Sequence, residues 1–158
     1  MNHQKLMLTT YKSEYAKDFE SLNMAWIEKY FIPETHDLEQ LSKPEEYIID
    51  QGGEIVFAIY EGKVVGTCAL IKTGEQEFEL AKMGVLTEFQ GMQIGYKLSI
   101  YAIKKAKEMG AKRIWLESNR KLKPAISLYL KLGFKEIPID ANTPYARADI
   151  RMEYLHNK

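Results

Sequence analysis

The stretch Glu77-Phe-Glu79-Leu-Ala-Lys-Met83-Gly84-Val85-Leu-Thr-Glu-Phe-Gln90-Gly91-Met92-Gln93-Ile94-Gly95-Tyr96-Lys-Leu98 decides the fold. Phe78 to Val85 reads as a strand. Beyond the loop, Leu98, Tyr101, Ala102, Ala106 and Met109 share one helical face up to the stop at Gly110. A strand running into a glycine-containing loop that opens a helix exposes unpaired backbone N–H groups at the positive end of a helix dipole, an anion site built from backbone. Gly91 and Gly95 leave room for a phosphate to approach the main chain, and Gln90 is placed to order the loop by hydrogen bonding. The segment lacks the Gly-Lys-[Ser/Thr] of a P-loop and the spacing of Gly-x-Gly-x-x-Gly, and the strands before it are antiparallel. Nucleoside triphosphate and dinucleotide folds are thereby set aside.

Upstream, Leu6 to Tyr11 reads as a strand, and Glu14 to Phe31 as a helix with Tyr15, Phe19, Leu22, Trp26 and Tyr30 at helical spacing, closed by Pro33. A second helix is expected from about Asp37 to Asp50. Ile55–Tyr60, Val64–Lys72 and Phe78–Val85 then follow as three antiparallel strands joined by Glu61-Gly62-Lys63 and Thr73-Gly74-Glu75. Downstream come a strand at Arg113–Ser118, a helix at Leu122–Leu132 with Pro124 in its first turn and Gly133 at its end, and strands near Lys135–Ile137 and Ala148–Leu155. The order βααβββαβαββ is an α/β (α+β) domain with a mixed, mostly antiparallel central sheet flanked by helices.

The chain has 158 residues and 46% hydrophobic content, enough for one core, so one domain is expected over 1–158. Twenty-two basic residues balance twenty-two acidic ones, so no global field holds a nucleic-acid backbone or an anionic membrane. The single cysteine, Cys68, excludes an intramolecular disulfide framework and suits a reducing cytoplasm. The N-terminal residues lack the apolar core of a signal peptide, and no run approaches a membrane span; a cytoplasmic protein is expected.

The loop Gln90-Gly91-Met92-Gln93-Ile94-Gly95 resembles the Gln/Arg-x-x-Gly-x-Gly/Ala signature of the Gcn5-related N-acetyltransferase (GNAT) superfamily, with Gln93 where the family usually has glycine. The segment Pro124-Ala-Ile-Ser-Leu-Tyr129-Leu-Lys-Leu-Gly-Phe134 is close to that family's Ala-x-x-Leu-Tyr-x-x-x-Gly-Phe ending, and Val65-Gly66-Thr67 extends the likeness upstream. The resemblance spans roughly 54–137, an acetyl-CoA-binding core. It leaves 1–53 as a substrate-side strand and helices and 138–158 as a C-terminal strand region. It implies the GNAT fold and direct transfer of acetyl from acetyl-CoA to a primary amine of a small molecule or peptide in a ternary complex, without metal.

By the same resemblance, Met83, Gly84 and Val85 pair with the pantetheine arm, one of their N–H groups polarises the thioester carbonyl, and Gln90, Gly91, Met92, Gln93, Ile94, Gly95 and Tyr96 receive the pyrophosphate. Glu79 is the candidate general base, with Glu77 in reserve on the same strand face. Tyr129 is the candidate acid for the thiolate. Many relatives place an asparagine three residues before the helix alanine, where this chain has Leu122; that cofactor contact is either absent or moved to Asn119. Trp26, Tyr30, Glu34 and Asp37 are candidates for the acceptor pocket, and their carboxylates favour a cationic amine. Tyr145, in the alternating Tyr145-Ala-Arg147-Ala-Asp149, joins them.

The remaining features have plainer readings. Cys68 is better read as a buried, inert strand residue than as an acyl carrier. His3, His36 and His156 are too scattered for a metal site. Lys104-Lys105-Ala106-Lys107 is a solvated helix face, with its lysines placed to help a CoA 3′-phosphate. The resemblance allows a homodimer through the C-terminal strands. The rival reading is a non-catalytic acyl-CoA-binding sensor module, which needs the loop backbone but neither Glu79 nor Tyr129.

Overall fold

The computed structural model describes residues 5–143 and 146–156; His3 and Tyr145 lie outside them. In chain order the elements are β1 (Leu6–Thr10), α1 (Ala16–Tyr30), α2 (Thr35–Ser42), β2 (Glu54–Tyr60), β3 (Lys63–Gly74), β4 (Glu77–Val85), α3 (Ile94–Glu108), β5 (Arg113–Ser118), α4 (Lys123–Leu132), β6 (Phe134–Ile137) and β7 (Ile150–Tyr154). This is the expected α/β order. The strands form one sheet in the order β1-β2-β3-β4-β5-β7-β6, antiparallel except where β4 meets β5.

Both faces of the sheet are covered, so the middles of its central strands are buried. Alternation along β2 sends Val56 and Ala58 to one side and Ile55 and Phe57 to the other. The first side packs on Leu98, Ala102 and Ala106 of α3; the second on Phe19 and Ile27 of α1, Leu41 of α2 and Ile48. Each fully buried large side chain contributes about 1.5–3 kcal/mol. No described helix is long and apolar enough to cross a membrane.

Two of the boundary differences from the sequence reading bear on the site. The helix expected over Asp37–Asp50 stops at Ser42, and a separate π-helical turn occupies Glu45–Ile49. Pro44 is the cause: it has no N–H to continue the ladder and disfavours the helical conformation in Lys43, which has φ −135° and ψ 62°. At the C-terminus, the strand expected from Ala148 begins at Ile150, so Arg147 and Asp149 stand on the connection before β7 rather than within the sheet.

The feature that positions the site is the parting of β4 from β5. The two pair only through Glu77–Glu79 and Arg113–Trp115. Beyond Glu79, β4 keeps β3 as its one neighbour, while Leu116 to Ser118 of β5 pair with β7. A bulge deepens the separation: Thr67 faces Gly84 but Ala69 faces Ala81, and Lys82 in the extra stretch adopts φ 55°.

Candidate active site

A cavity of about 590 Å³ fills the gap between the parted strands. Leu80 to Met83 and Val85 line one wall, Glu117 to Asn119 the other; the loop into α3 and one face of α4 close one end, and Trp26, Tyr30 and Phe31 the opposite end.

The backbone at the cavity edge follows from strand alternation. Leu86 N–H donates to Val65 O (2.9 Å), so Gly84 also turns its backbone polar groups toward β3, and Met83 and Val85 aim theirs at the open edge. Met83 and Val85 line the cavity, and Gly84 does not. Gly84 instead meets α1, since a Cβ there would lie 2.8 Å from the Leu22 carbonyl oxygen.

The loop beyond is ordered from within, because Gln90 Nε2 donates to the outward-facing Val85 carbonyl (3.2 Å). Gly91 takes φ 92°, and Gln93, the N-cap of α3, takes the left-handed φ 61° and ψ 23°. That conformation is the reason glycine suits this position, and Gln93 holds it at a cost of about 1–3 kcal/mol. No side chain caps α3, and its first turn contains no acidic residue, so its N-terminal N–H groups are left for an anion. A Cβ on Gly95 would make only ordinary contacts, 3.5 Å to Leu128 and 3.6 Å to Met83, so the fold itself does not require glycine there. Gln90, Gly91, Gln93, Ile94, Gly95 and Tyr96 line the cavity; Met92 is 44% exposed and does not. The lysine lining this end is Lys131, whose Nζ stands 4.6 Å from the Tyr96 ring centroid. Lys105 and Lys107 are engaged elsewhere, with Glu108 and with the rings of Tyr101 and Tyr154.

Glu79 ends the paired part of β4, at the apex of the parted strands, and is 6% exposed. Burial pushes its carboxyl up to about 7; neighbouring Glu117 acts in the same direction, and Lys82, Arg151 and Arg147 act against it. A buried carboxyl held near neutrality on a cavity wall is suited to proton transfer. The reserve candidate, Glu77, is placed outside the cavity: it accepts from Thr73 Oγ1 (2.9 Å) and pairs with Arg113 (3.2 Å). Tyr129 lines the cavity with its ring edge-on to Phe134, centroids 5.9 Å apart, and burial pushes its phenol up, so it keeps its proton throughout the neutral range. Cys68 is fully buried, does not line the cavity, and has its thiol raised by burial.

The end of the cavity where an acceptor is expected departs in part from the sequence reading. Trp26 and Tyr30 line it, but Glu34 and Asp37 do not. Asp37 is completely buried, and accepts from Lys82 Nζ (2.7 Å), from Arg147 Nη1 and Nη2 (2.7 and 2.8 Å) and from the Glu34 N–H (2.9 Å). Burial acts to raise its carboxyl, but Arg147 and Lys82 overcome this and hold it well below the usual carboxylate range. Glu34 accepts from the Ala146 N–H (3.3 Å) and lies 3.5 Å from Arg147. Asp37 is therefore turned inward, joining α2 to β4 and to the segment before β7, while the partly exposed Glu34 contacts Ala146 and Arg147 outside the cavity. Asn119 lines the cavity with its amide already engaged: Nδ2 donates to the Arg147 carbonyl (2.7 Å), and Oδ1 accepts from the Lys121 N–H (2.9 Å).

Lys82, Glu117, Lys121, Lys131 and Arg147 are the charged lining residues that sequence reasoning did not assign. Glu117 is neutralised by Arg151 (2.6 and 2.9 Å) and accepts from Thr143 Oγ1. The alternation around Arg147 was a signal for that residue alone. The others depend on strands and helices that meet only in three dimensions.

The family model described as Acetyltransferase (GNAT) family matches residues 17–134. An uncharacterized N-acetyltransferase of Escherichia coli, YjgM, is 36% identical over 110 residues, 66% of each chain, so the match spans just under two thirds of that relative. Among solved structures, an acetyltransferase of the GNAT family from Staphylococcus aureus Mu50 superposes with a TM-score of 0.84 at 22% identity, over 94% of this chain and 98% of that one. The PaiA N-acetyltransferase of Thermoplasma acidophilum, solved in complex with coenzyme A, superposes with a TM-score of 0.76 at 21% identity, over 96% and 99%. These two establish likeness of fold. The family match covers most of the sequence, including the parted strands and the loop into α3, and the chain belongs to the acetyltransferase (GNAT) family.

Proposed function

We propose that the protein is an acetyl-CoA-dependent N-acetyltransferase that transfers acetyl directly to a primary amine, with donor and amine bound together. The observation that carries this reading is Glu79, a buried carboxyl held near pH 7 on the wall of a cavity whose other end is an uncapped helix N-terminus. The residues present fit the donor: α3 offers uncapped N–H groups and Lys131 a positive charge for phosphates, and the open edge of β4 runs from there toward Glu79. Acetyl-CoA, when bound, supplies a thioester carbonyl carbon that the amine nitrogen can attack.

Glu79 takes a proton from the substrate ammonium, directly or through water, exposing the nitrogen lone pair. The edge-facing N–H of Met83 or Val85 stabilises negative charge on the acyl oxygen as the C–N bond forms. Tyr129 gives its phenolic proton to the sulfur as the C–S bond breaks, and the second proton that the nitrogen sheds in becoming an amide restores the phenol, directly or through solvent. The products are the amide and the free thiol, with one proton released through Glu79.

Calorimetric titration with acetyl-CoA and with CoA, followed by thiol release against a panel of amines, tests this reading. The expected result is saturable binding and amine-dependent thiol release. Gly95→Glu is expected to keep the fold but weaken donor binding about tenfold or more, by placing bulk and negative charge at the helix N-terminus. Absence of donor binding by the unaltered protein rejects the proposal; binding without turnover for any amine favours the sensor module.

A further inference from the structure

We infer that the acceptor amine carries a carboxylate, seated between Lys121 and Arg147 beside the ring of Phe31. The inference rests on the acetyltransferase reading above and names the class of its substrate.

The acceptor end of the cavity is short of available negative charge. Glu34 and Asp37 are turned away from it, and Glu117 is neutralised by Arg151. Glu79 is the proton acceptor, so among the described residues lining the cavity no carboxylate is left for a second ammonium group such as a polyamine carries. Two positive groups stand on this wall, Lys121 and Arg147, the second sharing its charge with Asp37 and with Glu34, 3.5 Å away. Lys121 Nζ stands 4.5 Å and Arg147 Cζ 5.7 Å from the centroid of the Phe31 ring, and all three residues line the cavity. The Lys121 ammonium also donates to the Tyr30 carbonyl (3.1 Å), and the Arg147 guanidinium is aligned by its two bonds to Asp37 and by the face of Trp26, 5.8 Å away.

Asn119 fixes both cations at their backbones, accepting from the Lys121 N–H and donating to the Arg147 carbonyl. One side chain thus ties together the backbones that carry two positive groups remote in sequence. Both are placed before a ligand arrives, which lowers the ordering cost of binding an anion. A carboxylate accepting from an ammonium and a guanidinium makes charge-assisted hydrogen bonds, and Trp26 and Phe31 supply an apolar wall for the rest of the molecule. The amine, on the same small molecule or chain end, then points toward Glu79.

The carboxylate has two sources, the α-carboxylate of a free amino acid or an acidic side chain at a peptide N-terminus. Two matched pairs distinguish them: L-phenylalanine with L-phenylalaninamide, and an N-terminal aspartyl peptide with its asparaginyl counterpart. Each pair is read as amine-dependent thiol release and as calorimetric binding to the CoA-saturated protein. The expected result is a preference of about tenfold or more for the carboxylate member of one pair. In Lys121→Met the preference falls to near one. In Lys123→Met, which removes a neighbouring charge outside the cavity, it is retained. Equal turnover and equal binding within both pairs overturn the inference and leave the acetyltransferase reading standing. Failure of every amine to release thiol counts against that reading, and a carboxylate preference seen in binding alone still supports this one.

Discussion

Glu79 pays for its position in stability. Its folded-state value of about 7 lies above the ordinary 4.5, so the folded protein holds this proton more tightly than the unfolded chain does. The contribution to stability is therefore full below about pH 4.5 and is lost as the pH rises through 7, a swing of about 3 kcal/mol. Glu79→Gln is expected to raise the urea midpoint at pH 8, and to change it little at pH 4.5. The same substitution removes the proposed proton acceptor and is expected to lower kcat about a hundredfold or more while leaving acetyl-CoA affinity intact. In the unaltered enzyme kcat should rise with pH through about 7, as the ionised carboxylate becomes the dominant form. A stability gain without a loss of kcat would remove Glu79 from the chemistry. The glutamate itself was legible in the sequence; its burial was not, because a glutamate on an antiparallel strand is as compatible with a solvated face.

At the scale of the element, the start of α3 is built to leave its N–H groups available. An N-capping side chain would stabilise the helix by about 1 kcal/mol, and the position is occupied instead by Gln93 in a left-handed conformation without a capping hydrogen bond. Gln93→Gly is expected to relieve that conformation and raise stability by about 1 kcal/mol, less the entropy that glycine adds to the unfolded chain. Thermal unfolding measures the gain, and a loss of stability would show that the glutamine side chain contributes more than its backbone costs. The glycine loop and the helix after it were legible because punctuation by Gly91, Gly95 and Gly110 is local. The end of α2 was misread because the apolar spacing continues past Pro44 although the backbone hydrogen bonds cannot.

Across the whole molecule, Asp37 joins parts of the chain that local sequence does not relate. It ties the start of α2 to Lys82 in the β4 bulge, 45 residues on, and to Arg147, 110 residues on. Asp37→Ala leaves two cations short of a shared buried partner and is expected to cost about 3–5 kcal/mol, measured by urea unfolding. Because its carboxyl is held below the ordinary range, the stabilisation it gives is present above the ordinary carboxylate value and is lost as the pH falls through the folded one. A loss below about 1 kcal/mol would mean that water replaces the carboxylate. By itself, the sequence determined the order of helices and strands, the glycine loop before α3 and the family, because periodicity, glycine punctuation and the two motifs are properties of contiguous residues. Only the tertiary structure decided that Asp37 is buried and Glu34 lies outside the cavity, that Glu79 is buried at the apex of two parting strands, and that Lys121 and Arg147, their backbones joined by Asn119, stand beside Phe31. Burial and pairing depend on which distant segments meet, and those contacts leave no local period in the chain.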